Sequence, residues 1–225
     1  MDHTLQGRPV VLFPDVVDET PDGTAVLGPK LKAAAAGRKV VACIGSLSKR
    51  KGMLELMRIC QQTAAKDWFF AFAGHLDLID FDDRSLREIL RFVNHPPPNV
   101  WMHLHPVADV LEFDSLVLAS DVLYCHYLEF RHSSNLLTKA AVHRRPVLVS
   151  DGHCMAERVR RHHLGVVVRE GDHHGILRGL ESLLNDPNAE RRDFDGYAKF
   201  HSIERLDAAF DTLLSSNKTK LNRHP

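Results

Sequence analysis

The segment from Val40 to Met53, VVACIGSLSKRKGM, decides how this chain folds. It opens with five apolar residues, Val40–Ile44, which have the length and composition of a parallel strand covered on both faces. An eight-residue loop follows, Gly45–Gly52, and apolar residues at helical spacing begin directly after it. This order predicts one strand–loop–helix unit of a parallel α/β sheet.

The same unit repeats along the chain beyond this segment. Short, largely apolar runs alternate with stretches in which apolar residues recur every three or four positions. The strand candidates are Val40–Ile44, Trp68–Ala73, Val100–His105, Val122–Cys125, Pro146–Ser150 and Gly165–Val168. The alternation predicts an α/β fold: a Rossmann-like, doubly wound sheet of about six parallel strands with helices on both faces.

The two ends of the chain lack this pattern. Residues 1–37 hold a short apolar run, Val10–Leu12, then polar residues and a helical run, Lys30–Ala36, so we expect a remnant strand and a linker there. Residues 38–215 carry the sheet. The polar residues 216–225 are predicted to form a disordered tail after a terminal amphipathic helix.

Charge and cysteine usage exclude several classes of protein. Lys plus Arg and Asp plus Glu both number 29, so the chain has no basic excess with which to bind nucleic acid. The four cysteines are far apart, which is typical of a reduced, cytoplasmic protein. No apolar run approaches the roughly 18 residues of a membrane span, so membrane contact is expected only through a partner domain.

Histidine is abundant, with 15 residues, but its pattern does not predict a metal site. Zinc needs three or four converging ligands, and neither H-E-x-x-H nor a zinc-finger spacing of Cys and His occurs. We therefore expect surface and core histidines and no metal. Several acidic residues are likewise expected at solvated helix ends and in loops: Asp77, Asp80, Asp82, Asp83, Glu112 and Asp114.

The loop Gly45–Gly52 is the strongest candidate for a binding site, because ligands of open parallel sheets bind beyond the carboxyl ends of the strands. Its glycines allow a close backbone approach, the helix start offers amide donors, and Lys49, Arg50 and Lys51 add positive charge. The loop therefore predicts a phosphate or diphosphate site. A solvated basic loop would explain the cations but not the bracketing glycines. The loop is neither a Walker loop nor a dinucleotide fingerprint.

Gly45-Ser46-Leu47 and Lys51-Gly52 resemble the G-R-L-x-x-x-K-G loop of retaining glycosyltransferases with the GT-B fold, the relatives of glycogen synthase and sucrose synthase. The resemblance implies a C-terminal, nucleotide-sugar-binding domain in which an arginine and a lysine clamp the donor diphosphate. Lys51 matches the lysine. Ser46 stands in place of the arginine, and Arg50 or Lys49 would have to supply that charge.

Five further segments resemble the same family in the same order, so the resemblance covers roughly Val10 to Leu214. They are Phe70–Gly74, Val100–Pro106, Ala119–Val122, Ala140–Asp151 and Gly165–Asp172. The first of them resembles the family's second strand, which ends in glycine. The resemblance therefore adds Gly74 to the expected donor site.

The two glutamates that the family carries in its acidic motif are replaced in this chain. Counting back from Pro146, the glutamate for the ribose hydroxyls falls on Lys139 and the glutamate for the donor sugar falls on Arg131. Glu129 lies two residues before Arg131 and would serve the sugar if the loop shifts by that amount. Lys139 has donors only, so it cannot accept hydrogen bonds from ribose hydroxyls.

Ser133, Ser134 and Asn135 are predicted to cap the helix that carries Leu136–Val142. The amides of this helix start would point into the same cleft and contact phosphate or sugar oxygens. A plain helix cap is the alternative interpretation.

The resemblance implies sugar transfer from a nucleotide-diphosphate sugar, such as a UDP- or GDP-sugar, to an unknown acceptor, without a cofactor. Lys51 and Glu129 would have the catalytic roles. The donor would be bound by Gly45, Ser46, Arg50, Gly74, Ser133, Ser134, Asn135 and Lys139. The family binds its acceptor on an N-terminal domain, so we expect this chain to bind donor but to be catalytically incomplete alone.

Two other interpretations stay open. A non-catalytic module that binds a nucleotide or a sugar phosphate in a degenerate donor site would explain Ser46 and Lys139. Another α/β enzyme, such as a sugar-phosphate isomerase or phosphorylase, would bind a phosphorylated sugar and ignore nucleoside diphosphates, because one fold hosts many functions.

Overall fold

A computed structural model describes residues 4–5, 8–9, 11–17, 23–63, 67–186 and 189–221 of the chain. Six parallel strands form the main sheet in the order β5-β4-β3-β6-β7-β8, and a two-stranded antiparallel hairpin, β1-β2, precedes them. The strands are β1 Thr4–Leu5, β2 Arg8–Pro9, β3 Lys39–Ile44, β4 Trp68–Ala73, β5 Val100–His103, β6 Val122–Cys125, β7 Val147–Ser150 and β8 Gly165–Val168.

Helices follow the strands and cover both faces of the main sheet. In the described ranges they are α1 Leu27–Ala35, α2 Met53–Gln62, α3 Asp83–Asn94, α4 Val110–Ala119, α5 Asn135–Val142, α6 Cys154–His162, α7 His173–Leu184, α8 Phe194–Phe200 and α9 Ile203–Leu221. None of these helices combines the length and the apolarity that crossing a membrane requires. The predicted Rossmann-like, doubly wound α/β fold is therefore confirmed.

Alternation along the central strand divides the core into two layers. On β3, Val40, Ala42 and Ile44 pack on one face together with residues of α1, α4, α5 and α6. Val41 and Cys43 pack on the opposite face with residues of α2, α3 and α7. Because both faces are covered, every position of the strand after Lys39 is buried, which is why the sequence shows an unbroken apolar run there.

Two predicted strands are shorter in the structure, for identifiable reasons. β5 ends at His103 instead of His105, because its partner β4 ends at Ala73 and Gly74 turns the chain away with φ of 140°. β7 begins at Val147 instead of Pro146, because proline has no N–H to donate to the ladder.

The ends of the chain also differ from expectation. Val11 and Leu12 form no strand, and Val10 lies outside the described residues. This segment instead crosses the helices near the C-terminus, where the rings of Phe13 and Phe210 lie 5.2 Å apart. Helix α9 continues to Leu221, although the polar composition after Ser215 predicted a disordered tail.

Candidate functional site

The candidate site lies at the carboxyl ends of β3 and β6. β3 pairs with β4 on one side and with β6 on the other, so the chain leaves these neighbouring strands toward opposite edges of the sheet. Such a switch point opens a crevice above the strand ends. The loops that would border such a crevice are Gly45–Gly52, before α2, and residues 126–134, before α5.

Three glycines let the loops at this edge come close together. A Cβ on Gly74 would lie 1.8 Å from the carbonyl oxygen of Gly45, and a Cβ on Gly52 would lie 2.4 Å from that of His126. All three have positive φ, 105° at Gly45, 65° at Gly52 and 140° at Gly74, which favours glycine. The structure thus brings together Gly45 and Gly74, both predicted for the site.

The three cations of the loop sit in a single 3-10 turn, Lys49–Lys51, which passes through Gly52 directly into α2. Lys49 and Arg50 are exposed, whereas Lys51 is half-buried. Ser46, the position at which the sequence resemblance would place an arginine, is exposed. The loop therefore presents one enclosed cation and two at the surface.

Lys51 turns its amine inward, between Gly45 and Tyr127. Its Nζ donates a hydrogen bond of 2.7 Å to the Tyr127 hydroxyl and lies 3.8 Å from where a Cβ on Gly45 would be. Burial lowers the pKa of the Lys51 amine, because the charged form loses water. This amine is the one buried cation at the carboxyl end of β3 among the described residues.

The basic loop is fastened to the loop after β6. The Leu128 amide donates to the Arg50 carbonyl at 2.8 Å, and the Arg50 guanidinium lies 4.8 Å from the centre of the Phe130 ring. A guanidinium over an aromatic face is attracted by the negative charge of that face. Arg50 therefore stays at the rim of the crevice, at the opposite end of the loop from Ser46.

The start of α5 forms the other wall. The Ser134 side chain caps the helix by accepting from the Leu136 amide at 3.4 Å, and Asn135 is the exposed first residue of the helix. This confirms the predicted cap. The Ser133 hydroxyl instead accepts a hydrogen bond from Arg158 of α6. Ser133 is thus engaged on the side of the loop that faces α6.

Glu129 lies farther along the same edge, beyond β6. Its backbone has φ of 51°, and its amide donates to the Glu170 carboxylate at 3.1 and 3.2 Å. The side chain is exposed and lines an open cleft of about 940 Å³. The other residues that line this cleft are Arg131, Asp151, Gly152, His153, Arg169 and Glu170.

Lys139 does not reach the crevice. Its Nζ donates to Asp114 Oδ1 of α4 at 2.6 Å, and both side chains are buried, with exposures of 10% and 1%. His143 lies 3.5 Å from the same carboxylate oxygen. The expectation that Asp114 lies at a solvated helix end is therefore wrong: it sits inside α4, where it balances the charge of Lys139.

Sequence reasoning missed Tyr127, Phe130 and Glu170, which join the loops of the site. Tyr127 and Phe130 follow β6 directly, and two aromatic residues just past the carboxyl end of a central strand were a usable signal. Glu170 gave no such signal, because its contact with Glu129 spans 41 residues. Among the described residues, no three His, Cys, Asp or Glu side chains are grouped so that they could hold a metal ion.

Solved structures share this fold. The chain superposes on Alr3699/HepE from Anabaena, in complex with UDP and glucose, with a TM-score of 0.65 and 16% sequence identity. The alignment covers 84% of this chain and 52% of that protein. It also superposes on a UDP-forming α,α-trehalose-phosphate synthase from Burkholderia vietnamiensis, with a TM-score of 0.68 and 16% sequence identity. That alignment covers 88% of this chain and 48% of the synthase. No family model matches the sequence, and no curated protein matches it.

A third neighbour covers a single domain. The C-terminal domain of a glycosyl transferase group 1 family protein, LpcC from Francisella tularensis, aligns over 84% of this chain and 93% of its own length, with a TM-score of 0.58 and 17% identity. The chain spans about half the length of the first two proteins and nearly all of this domain. At such identities, the likeness establishes the fold.

Proposed function

Because this chain has the fold of the C-terminal domain of a GT-B glycosyltransferase, we propose that it is the donor-binding half of a glycosyltransferase. It would transfer a sugar from a nucleoside-diphosphate sugar to an acceptor that is still to be identified. The observation that carries the proposal is the half-buried Lys51 amine at the carboxyl end of β3, between Gly45 and Tyr127.

The chemistry needs positive charge where the leaving group becomes negative. When the sugar–phosphate bond breaks, negative charge grows on the diphosphate, and a fixed cation in a partly dry site stabilises it. Lys51 has this role in the proposal. The starts of α2 and α5 flank the same crevice and add the positive ends of two helix dipoles.

The remaining contacts are assigned by position. Arg50 stands at the rim and replaces the arginine that is absent at Ser46. The amides of Asn135 and its neighbours face the donor phosphate or sugar. Glu129, on the wall of the open cleft, orients the transferred sugar. Lys139 is left out of the site because its amine is paired with Asp114, so the ribose is held by other groups.

The proposal includes a partner. The acceptor would be bound by an N-terminal domain of the GT-B type, because this chain covers only 52% and 48% of the two longer solved neighbours. No metal or organic cofactor takes part, and no nucleic acid is bound. The buried free thiols of Cys43, Cys60 and Cys125 favour a reducing compartment, and we propose the cytoplasm.

A thermal-unfolding screen with UDP, GDP, ADP and their glucose conjugates tests this function. A ligand at a hundredfold excess over its dissociation constant stabilises the folded state by about 2.7 kcal/mol, so one nucleotide should raise Tm by several degrees. Lys51→Ala should abolish the increase. Lys49→Ala is the matched control, because Lys49 is an exposed cation of the same turn. A wild-type chain stabilised by no nucleotide would contradict the proposal.

The degenerate-module interpretation is the second candidate. Two residues that were expected to bind the sugar donor support it, because they have partners within the protein. Ser133 accepts a hydrogen bond from Arg158, and Lys139 donates one to Asp114. A degenerate site would bind inorganic pyrophosphate and UDP equally well, because it would lack contacts to the nucleoside. A donor site would prefer UDP, and a competition titration distinguishes the two.

A further inference from the structure

The Lys51 amine needs an acceptor where it lies. It is half-buried beside the Gly45 backbone, and burial makes the charged form of an amine costly unless its protons are hydrogen-bonded. The Tyr127 hydroxyl accepts one of these protons at 2.7 Å, and the Nζ is 4.1 Å from the centre of the same ring. The phenol therefore replaces one of the hydrogen bonds to water that the ammonium loses on burial.

Tyr127 is fixed in place by burial, by a backbone hydrogen bond and by a ring contact. Its side chain is buried, and its carbonyl accepts a hydrogen bond of 2.5 Å from the hydroxyl of Ser150 at the end of β7. Its ring meets that of Phe130 edge-on at 5.2 Å. Burial, and then the nearby Cys125, raise the pKa of the phenol well above its usual range, and the nearby Ser134 side chain opposes this. The hydroxyl thus stays neutral and can accept from Lys51.

The Ser134 side chain lies near the phenol and belongs to the segment before α5. Ser134 caps α5, so the phenol stands between the cation before α2 and the start of α5. Resting on the proposed function, we infer that Tyr127 is a positioning residue that holds the Lys51 ammonium, charged and oriented, for the donor diphosphate. Tyr127 acts through Lys51 and need not touch the donor.

Tyr127→Phe isolates the role of the hydroxyl, because it keeps the ring and its packing. Without the acceptor, the buried ammonium loses a hydrogen bond that favours its charged form, so the pKa of Lys51 falls further. Tyr197→Phe is the matched control: it removes a hydroxyl from another buried tyrosine, which lies on α8 beside Arg158. Loss of stability alone would appear in both variants, whereas a change at Lys51 would appear in one.

The experiment follows the Lys51 Nζ of the ¹⁵N-lysine-labelled chain by NMR during a pH titration, with Lys51→Arg to assign the signal. We expect a lower midpoint for Lys51 in Tyr127→Phe, and an unchanged midpoint in Tyr197→Phe. At about pH 8, UDP affinity should fall in Tyr127→Phe by up to roughly tenfold, because the ammonium that contacts the diphosphate is less fully charged and less well oriented.

The two readouts separate this inference from the proposed function. Equal Lys51 midpoints in the wild type and in Tyr127→Phe would overturn the inference, whether or not UDP binds. A shifted midpoint together with a wild-type chain that binds no UDP would support the positioning role and contradict the proposed function instead. If Tyr127→Phe does not fold, the wild type decides: absence of a nuclear Overhauser contact between the Lys51 ammonium and the Tyr127 ring would overturn the inference.

Discussion

Lys139 and Asp114 form an ion pair that is buried between α4 and α5. Removing one partner of such a pair is costly, because the other charge stays in a medium that cannot solvate it. Replacing both partners by apolar residues avoids that cost. The pair is therefore more informative about stability than about ligand binding.

Lys139→Met is expected to lower the free energy of unfolding by about 3–5 kcal/mol, since it removes the ammonium that balances the charge of the buried Asp114 carboxylate. Urea denaturation of Lys139→Met, Asp114→Leu and the double variant measures the effect. The double variant should recover most of the loss. Lys139→Glu, which would recreate the glutamate of the related family, should destabilise the fold and not restore ribose binding. A stable Lys139→Glu chain with stronger UDP binding would contradict this assignment.

At the scale of single elements, the carboxyl ends of β3 and β4 depend on a close backbone contact. A Cβ on Gly74 would lie 1.8 Å from the Gly45 carbonyl oxygen, and this contact is with backbone that cannot turn aside. The approach of these two strand ends shapes one side of the crevice. Its sequence signal is the glycine that directly follows each strand.

Gly74→Ala should destabilise the protein far more than Gly152→Ala. Both glycines have positive φ, 140° and 99°, so both substitutions introduce backbone strain of about 1–3 kcal/mol. Only at Gly74 does the added methyl group also collide, because nothing lies within 4 Å of a Cβ on Gly152. The free energy of unfolding in urea should therefore fall more in Gly74→Ala. Equal losses in the two variants would show that strands β3 and β4 do not meet as closely as described.

The elements that could be predicted from sequence are those with local causes. Each main strand is a short apolar run, as in β4 and β6, whose predicted limits agree with the structure. The cap of α5 was likewise visible, because Ser134 bonds its own helix. The placement of Lys139 was not, since the partner that withdraws it lies 25 residues away and is chosen by how α4 packs on α5.

At the scale of the whole molecule, residues 11–17 contact helix α6 and the end of helix α8. The Asp15 carboxylate accepts from Arg158 at 2.5 Å, and the Asp15 amide donates to His201 Nδ1 at 2.8 Å. That bond requires a neutral imidazole nitrogen. Arg158 also contacts Ser133, so the same arginine links this segment to the loop before α5.

His201 should make stability depend on pH. Burial lowers the pKa of His201 to about 4, and the nearby Arg158 and His162 act in the same direction. The Asp15 carboxylate has the opposite effect, because it favours the charged imidazolium. The ordinary value in the unfolded chain is about 6.5. The contribution is therefore fully present above about pH 6.5 and is lost as the pH falls toward about 4, because the unfolded chain binds the proton first.

The loss should amount to roughly 2–3 kcal/mol between about pH 7 and about pH 4. Urea denaturation across this range measures it, and His201→Asn, which cannot titrate, should remove that part of the slope. The difference between the two curves isolates the contribution of His201 from those of all other groups. Parallel curves for the two chains would contradict the buried, neutral His201.

The central claim is that the crevice beside Lys51 binds the diphosphate of a nucleotide-sugar donor. Calorimetric titration of UDP into the wild type, Lys51→Ala and Lys49→Ala tests it most directly. We expect saturable one-to-one binding to the wild type and to Lys49→Ala, with affinity lost at least about tenfold in Lys51→Ala, because a charge-assisted contact is removed. Equal affinity in Lys51→Ala and the wild type would contradict it and place the diphosphate elsewhere.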